Sequence, residues 1–318
     1  MNQNKKLLIY GTGAVGGYYG GMLLKAGFDV TFVARGKTYE VLKENGLTLI
    51  KDGEKEILPI KVFNNTKDLG VFDYIFICVK SKDTKVAAEQ IKNNVDQSTN
   101  VLSFQNGVEN EEIIGNVVGI EKVIGANVYV ASMQIEPGVI DQFGYNAVVF
   151  GELDRKQSTR VLELKNILES AGILCIIPDD IVAELWNKLV WNASFNPVSV
   201  VKGKTVDKIL GDKELYELVK NIMTEVRDVA IAHGVNIRKD TVEFNLERSK
   251  GVAKRNMEGS QNFVGFKTSM LQDFEAGRPL ELEELVGVVI RKAKEKNISV
   301  PNIEKVYKEV KQKSLLTA

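Results

Sequence analysis

The sequence is sparing in the residues that build metal centres and disulfide frameworks. Its 318 residues include one histidine, His233, and two cysteines, Cys78 and Cys175. Such a set cannot make an ordinary zinc site, which leaves only carboxylate sites open, and no metal is expected. The cysteines lie far apart in apolar runs that read as buried strands. They are expected to be inert thiols, in a reducing, cytoplasmic setting. An excess of charge of either sign is also missing: Lys plus Arg and Asp plus Glu number 42 each. That balance argues against a broad basic surface and a nucleic-acid partner. No apolar run approaches the ~20 residues of a membrane-spanning helix. The opening MNQNKK, followed by LLIYGTG, does not have the form of a signal peptide. A soluble protein without a membrane partner is therefore expected.

What is present is an ordinary globular mixture, 44% hydrophobic and 26% charged, in a length that suggests about two domains. Short apolar runs at 6–10, 29–34, 73–79, 100–104 and 122–126 read as strands. A helix from about Val15 to Ala26, closed by Gly27, separates the first two. Strands alternating with helices predict a mainly parallel α/β sheet covered on both faces. Residues 139–150 alternate in polarity and predict an antiparallel edge. A helix at 159–170 and a strand at 173–177 follow. Pro178-Asp179-Asp180 then marks a boundary, with an aspartate available to cap the next helix. Beyond it, helical periodicity dominates 180–200, 212–233, 239–257, 262–275, 281–296 and 302–314. The expected organisation is a dinucleotide-binding α/β domain over 1–178 and an all-helical domain over 179–318.

The run Gly11-Thr12-Gly13-Ala14-Val15-Gly16 is G-x-G-x-x-G between a strand and a helix, the context that gives this weak motif its meaning. Gly11 permits the tight turn, Gly13 lets a pyrophosphate approach the backbone, and Gly16 lets the helix pack close to the sheet. The N–H groups of the first helical turn, around Ala14 and Val15, then face the phosphates. The second strand ends Val33-Ala34-Arg35-Gly36-Lys37, without the carboxylate that would bond the ribose 2′-hydroxyl of NAD. Arg35 can instead hold a 2′-phosphate, with Lys37 as a second charge, which favours NADPH. The alternative is a solvated basic pair. Lys80 ends the third strand and Asn106 follows the fourth, both on the side where ligands of such sheets sit. Either can also be a plain turn residue.

In the helical half, Lys188, Asn192 and Asn196 are spaced i, i+4, i+8 on one helical face. Asparagine is a poor helix former, so two on one face call for a reason other than stability. A partly desolvated lysine is a competent general acid for reducing a ketone. His233, just before Gly234, reads instead as a helix C-terminus. The competing account of the lysine is a solvated stripe with a Glu184–Lys188 ion pair. Pro197 is expected to bend or end this helix. QDFEAG, 272–277, reads as a solvated helix end.

Taken in order, GTGAVGGYYG, the Arg35 strand end, CVKS around Lys80, FQNGV around Asn106, ELWNKLVWNASFNP around Lys188 and SMLQDFEAGRPLELEELVG are similar to the ketopantoate reductase family over nearly the whole chain. The resemblance implies a Rossmann-like domain followed by a helical one, with the active site between them. It further implies NADPH-dependent reduction of a 2-keto acid, ketopantoate giving pantoate on the route to pantothenate and coenzyme A. Lys188 matches the family's proton donor, and Asn192 and Asn196 match substrate-binding asparagines. Ser269 matches the serine that holds the substrate carboxylate, and Glu281 a glutamate that orients the keto acid. Lys80 and Asn106 match residues at the cofactor–substrate junction. Glu281 at a helix start can equally be a dipole partner. The chain departs from the family where Leu280-Glu281-Leu282-Glu283 replaces the common Thr-Glu-Ile-Asp, and where Val286 stands in place of an asparagine before Gly287. These departures leave a D-2-hydroxyacid dehydrogenase acting on branched 2-keto acids open as a second reading. A non-catalytic NADPH-binding regulator is a third. The long amphipathic helices leave a homodimer open.

Overall fold

The apolar strands of the first half assemble into one sheet. In the computed structural model, residues 4–51, 53–259 and 265–317 are described, with side chains left out at 252–259 and 317. The chain divides into two compact units, 1–182 and 183–318.

The first unit carries strands β1 (Lys6–Tyr10), β2 (Asp29–Val33), β3 (Leu47–Lys51), β4 (Glu54–Leu58), β5 (Lys61–Phe63), β6 (Tyr74–Ile77), β7 (Asn100–Ser103), β8 (Val123–Glu136), β9 (Val139–Glu152) and β10 (Leu174–Ile176). Its helices are α1 (Ala14–Lys25), α2 (Gly36–Asn45), α3 (Thr84–Ile91), α4 (Asn110–Val118) and α5 (Thr159–Ser170). The strand order is β4-β3-β9-β8-β7-β6-β1-β2-β5, with β10 also paired to β9. The run from β8 through β7, β6, β1 and β2 to β5 is parallel, as near-continuous apolar strands require. Alternate residues feed two cores, Leu7 and Ile9 on one face and Leu8 and Tyr10 on the other. The long β8–β9 pair is antiparallel as expected, but it is not an edge. β3 pairs with β9 beyond it, and the β3–β4 hairpin closes that side. The hairpin went unread because β4 is mostly exposed and charged, so it lacks the apolar run of a central strand.

Helix α1 is glycine-rich for steric reasons. A Cβ at Gly20 would lie 2.4 Å from the Phe32 ring, and one at Gly21 would lie 2.6 Å from Leu49. The helix can lie on the strands only because these positions have no side chain.

Among the described residues the second unit has no strand. It contains most of α6 (Ile181–Lys202), then α7 (Val206–Leu210), α8 (Lys213–Ala232), α9 (Thr241–Gly259), α10 (Ser269–Glu275), α11 (Val288–Glu295) and α12 (Pro301–Thr317). Three expectations are corrected. Pro197 does not end α6, which runs on to Lys202; the residues beyond it, Val198 and Val200, are fully buried, and packing outweighs the missing N–H. The helix expected over 262–275 starts at Ser269, where the Thr268 side chain caps Leu271 N, while 262–264 lie outside the described residues. The QDFEAG turn is not simply solvated, because Asp273 is buried and accepts from Arg278 Nε at 2.8 Å. His233 does close α8, with Nε2 2.9 Å from the Lys292 carbonyl oxygen and Gly234 at φ +75°. Among the described residues no helix is long and apolar enough to cross a membrane.

Candidate active site

The first unit gathers its candidate residues at the C-terminal ends of parallel strands. The glycine loop follows β1, Arg35 follows β2, Lys80 follows β6 and Asn106 follows β7. The three motif glycines differ in what the fold asks of them. Gly11 has φ +105°, and a Cβ there would sit 2.8 Å from Val79 N. A Cβ at Gly16 would sit 2.1 Å from the Gly11 carbonyl oxygen and 2.9 Å from Cys78 Cβ. Gly13 is unlike both. Its φ of −89° suits any residue, and a Cβ would meet nothing nearer than Gln134 Oε1 at 3.9 Å. Neither packing nor backbone conformation calls for glycine at 13. Close approach by an outside group would account for it, and α1 begins at the next residue with its free N–H groups. The loop therefore fits a dinucleotide pyrophosphate, with Ala14, Val15 and Gly16 in the first turn.

Arg35 is the N-cap residue of α2, and its guanidinium lies 3.4 Å from Asp83. Both side chains are at least a third exposed, so this pair is weak. Lys37 is exposed beside it. Lys80 is exposed ahead of the 3₁₀ turn Ser81–Asp83. The backbone carbonyl of Asn106 accepts from Ser81 Oγ at 2.5 Å and from Asn110 Nδ2 at 2.9 Å, which fixes the loop. Its neighbour Gln105 is buried and structural: Nε2 donates to the Val79 carbonyl at 2.9 Å and to Thr84 Oγ1 at 2.8 Å.

Sequence reasoning missed Glu111, in the first turn of α4. A glutamate there reads as a helix-dipole partner. Its side chain is instead buried and accepts from the Ala126 backbone N–H, and its Oε2 has no partner among the described residues. Desolvation pushes its pKa up to about 7. The two cysteines are free, and burial raises both thiols.

The second unit builds its site on α6. Lys188 is half-buried, Asn192 is buried and Asn196 is fully buried. Asn192 Nδ2 and both amide atoms of Asn196 have no hydrogen-bond partner among the described residues. Each unsatisfied buried polar group costs about 1–3 kcal/mol, so two such asparagines on one face are expensive unless a ligand answers them. The adjoining face shows the ordinary arrangement. Asn187 Oδ1 accepts from Thr241 Oγ1 and from Asn245 Nδ2, the latter at 3.0 Å, which fastens α9 to α6. Trp191 Nε1 donates to Ser249 Oγ at 2.8 Å farther along the same seam.

Burial lowers the pKa of Lys188 to about 8, with the Glu281 carboxylate raising it and Arg248 lowering it further. Glu281 is buried just ahead of a π-helical segment, Glu283–Gly287, that leads into α11. Segments of that kind recur at functional sites. Ser269 is the exposed first residue of α10. Its neighbour Thr268 lies 2.6 Å from Ser199 Oγ, which donates to the Asn196 carbonyl at 2.8 Å. Lys188, Asn192, Asn196, Glu281 and Ser269 therefore come from three segments of one unit. Sequence reasoning did not anticipate Arg248. No cluster of three or more His, Cys, Asp or Glu side chains suited to a metal occurs among the described residues.

Comparison with known proteins agrees with this division. Residues 7–155 match the model described as ketopantoate reductase PanE/ApbA, and residues 180–314 match its C-terminal counterpart. The chain is 34% identical over 305 residues to a 2-dehydropantoate 2-reductase of Mesorhizobium japonicum, covering 89% of this chain and 90% of that one. It is 30% identical to the crystal structure of a 2-dehydropantoate 2-reductase from Geobacter metallireducens, with TM-score 0.87 over 97% of this chain and 99% of the other. A D-mandelate dehydrogenase solved with NADH and anilino(oxo)acetate superposes with TM-score 0.89 over 98% of this chain and 99% of the other, at 21% identity, which is a likeness of fold.

Proposed function

The chain belongs to the ketopantoate reductase family of pyridine-nucleotide-dependent oxidoreductases, and we propose that it reduces 2-dehydropantoate to pantoate with NADPH, Lys188 supplying the proton. The observation that carries this reading is the shared face of α6. A lysine whose pKa burial brings to about 8 stands there with two buried asparagines whose amides have atoms without partners. The mandelate dehydrogenase likeness does not bear on substrate.

When bound, NADPH supplies a hydride to the keto carbon. Gly11, Gly13, Ala14, Val15 and Gly16 would hold its pyrophosphate, Arg35 its 2′-phosphate, and Lys80 and Asn106 the part nearest the substrate. Lys188 donates its proton to the keto oxygen as negative charge develops there, and its ammonium is already in place to stabilise that charge. Glu281 offsets part of the desolvation that drives Lys188 toward its neutral form. The Asn192 and Asn196 amides can both donate to and accept from substrate oxygens and hydroxyls. Ser269, exposed at the start of α10, suits the substrate carboxylate.

The test is NADPH oxidation followed by absorbance, with 2-dehydropantoate beside 2-ketoisovalerate and with NADH in place of NADPH. The expected result is a strong preference for 2-dehydropantoate and NADPH. Preference for the ketone without the hydroxyl moves the chain to the 2-hydroxyacid dehydrogenase reading. Tight NADPH binding without turnover of any keto acid makes it a regulator.

A further inference from the structure

The glycine loop supplies no side-chain donor of its own. Ala14 and Val15 are apolar. Thr12, the one polar side chain in the run from Gly11 to Gly16, is buried and donates from Oγ1 to the Val33 carbonyl at 3.0 Å. Backbone N–H groups alone face a pyrophosphate from the side of α1. The phosphate oxygens turned away from the loop call for a donor on another element.

Strand β8 brings one to the loop. The position that a Cβ on Gly13 would take is open, and the one heavy atom within 4 Å of it is Gln134 Oε1, at 3.9 Å. The register of β8 on β9 explains why this side chain arrives there. Ser132 pairs with Gln142, Met133 with Asp141 and Gln134 with Ile140, with no bulge inside that stretch, so Ser132 and Gln134 share a face. Ile140 lies on that face too, in the core that holds Tyr18 and Tyr19 of α1, and a Cβ on Gly17 would sit 2.8 Å from its Cγ1. Farther along β9, Asn146 Nδ2 donates to Tyr18 Oη at 2.9 Å and ties the strand to the helix. The face is apolar at Val128 and Ile140 and turns polar at Ser132 and Gln134. The half-buried Gln134 amide has no hydrogen-bond partner among the described residues. Ser132 Oγ is buried on the same face, also without a partner among the described residues. Buried polar atoms are ordinarily answered, so this is a surface that a polar group completes.

We infer that Gln134 is a cofactor-binding residue, its carboxamide donating to the pyrophosphate that lies against Gly13. This rests on the reading of the loop as a dinucleotide site and deepens it. A half turn about the last side-chain bond exchanges Oε1 for Nε2, so the same amide presents a donor to an anion. An oxygen standing where the Gly13 Cβ would be needs about 1 Å of movement from the amide to reach hydrogen-bond distance. That is within reach of a long, unbranched side chain. The contact reads the pyrophosphate and not the 2′-phosphate. Gln134 therefore supplies affinity common to NADPH and NADH, whereas Arg35 separates them.

The experiment compares Gln134→Met and Gln134→Glu with the wild type by fluorescence titration with NADPH and with NADH. Competition by adenosine 2′-monophosphate, which lacks the pyrophosphate, serves as the control. In Gln134→Met, Kd for both dinucleotides rises about 10-fold, the loss of a hydrogen bond to a charged group. It rises further in Gln134→Glu, which sets a carboxylate against the phosphates. Kd for adenosine 2′-monophosphate stays put in Gln134→Met, and so does the melting temperature, because the amide bonds to nothing that the fold would lose. Unchanged Kd for both dinucleotides in Gln134→Met overturns the assignment of Gln134 alone. A loss shared by the mononucleotide does the same, since it marks a general disturbance of the site. A wild type that binds neither dinucleotide overturns the reading of the loop and this assignment with it.

Discussion

The Glu281 carboxylate opposes burial at Lys188. Burial drives the lysine toward its neutral form, and Glu281 pulls it back, leaving a pKa of about 8. The free-enzyme proton donor must be charged, so kcat/KM should fall as pH rises through this value. Glu281→Gln removes the opposing charge and keeps the shape. Its alkaline limb should therefore lie at lower pH than that of the wild type. A limb that stays in place would remove Glu281 from the electrostatics of Lys188.

Lys188→Ala should lower kcat by roughly 10²–10⁴-fold, the range for loss of a general acid. Stability should move the other way. A lysine whose folded pKa lies below its unfolded value destabilises the protein at neutral pH, and that cost fades between pH 8 and 10.5. Lys188→Met, which keeps the apolar stem, should therefore gain about 1–2 kcal/mol at pH 7 once solvent screening is allowed for. Denaturant melts at pH 7 and pH 10 measure both ends. A variant less stable at pH 7 than the wild type would show that Lys188 is held by more than it costs.

Much of this was legible in the sequence because it depends on periodicity and backbone chemistry. The glycine loop, strands β1, β2, β6 and β7, and the i, i+4, i+8 face of α6 follow from patterns of local origin. What escaped depends on distant neighbours. The charged strand β4 is recognisable only beside β3. Glu111 looks like an ordinary surface residue until β8 covers it. Pro197 does not end its helix for a related reason: local propensity disfavours continuation, and burial of Val198 and Val200 carries the helix on.

The glycine loop separates fold from ligand within six residues. Gly16→Ala puts a methyl against the Gly11 carbonyl, and the helix or the loop must shift. It should cost about 1–3 kcal/mol in stability, the range for overpacking. Gly13→Ala meets nothing within 3.9 Å, so its melting temperature should stay close to that of the wild type. Its NADPH affinity should nevertheless fall, read by fluorescence titration. Unaltered affinity in Gly13→Ala would mean that no ligand lies against that backbone.

Arg35→Ala should weaken NADPH by about 10-fold or more and leave NADH nearly unaffected, because the lost contact is a charge-assisted one to the 2′-phosphate. Breaking the exposed pair with Asp83 should contribute little to stability. Parallel KM values for the two nucleotides decide the matter, and an equal loss for both sinks the assignment.

Glu111 makes the sharpest prediction about stability. Its folded pKa of about 7 stands well above the usual carboxylate value, so the folded protein holds a proton that the unfolded chain releases. The sign follows: the folded state is favoured below pH 4.5, and that stability is lost as pH rises through 7. The full swing is roughly 3 kcal/mol, because each tenfold gain in proton affinity on folding is worth about 1.4 kcal/mol. Glu111→Gln cannot ionise but keeps an acceptor for the Ala126 N–H. It should therefore be more stable than the wild type at pH 8 and nearly equal at pH 5, where the native carboxyl is already neutral. Urea melts of both proteins at the two pH values measure this difference. If the pH dependence survives in Glu111→Gln, the buried proton belongs to some other group. If it vanishes, the proton belongs to an acidic side chain that is buried against the start of β8 and costs stability at neutral pH.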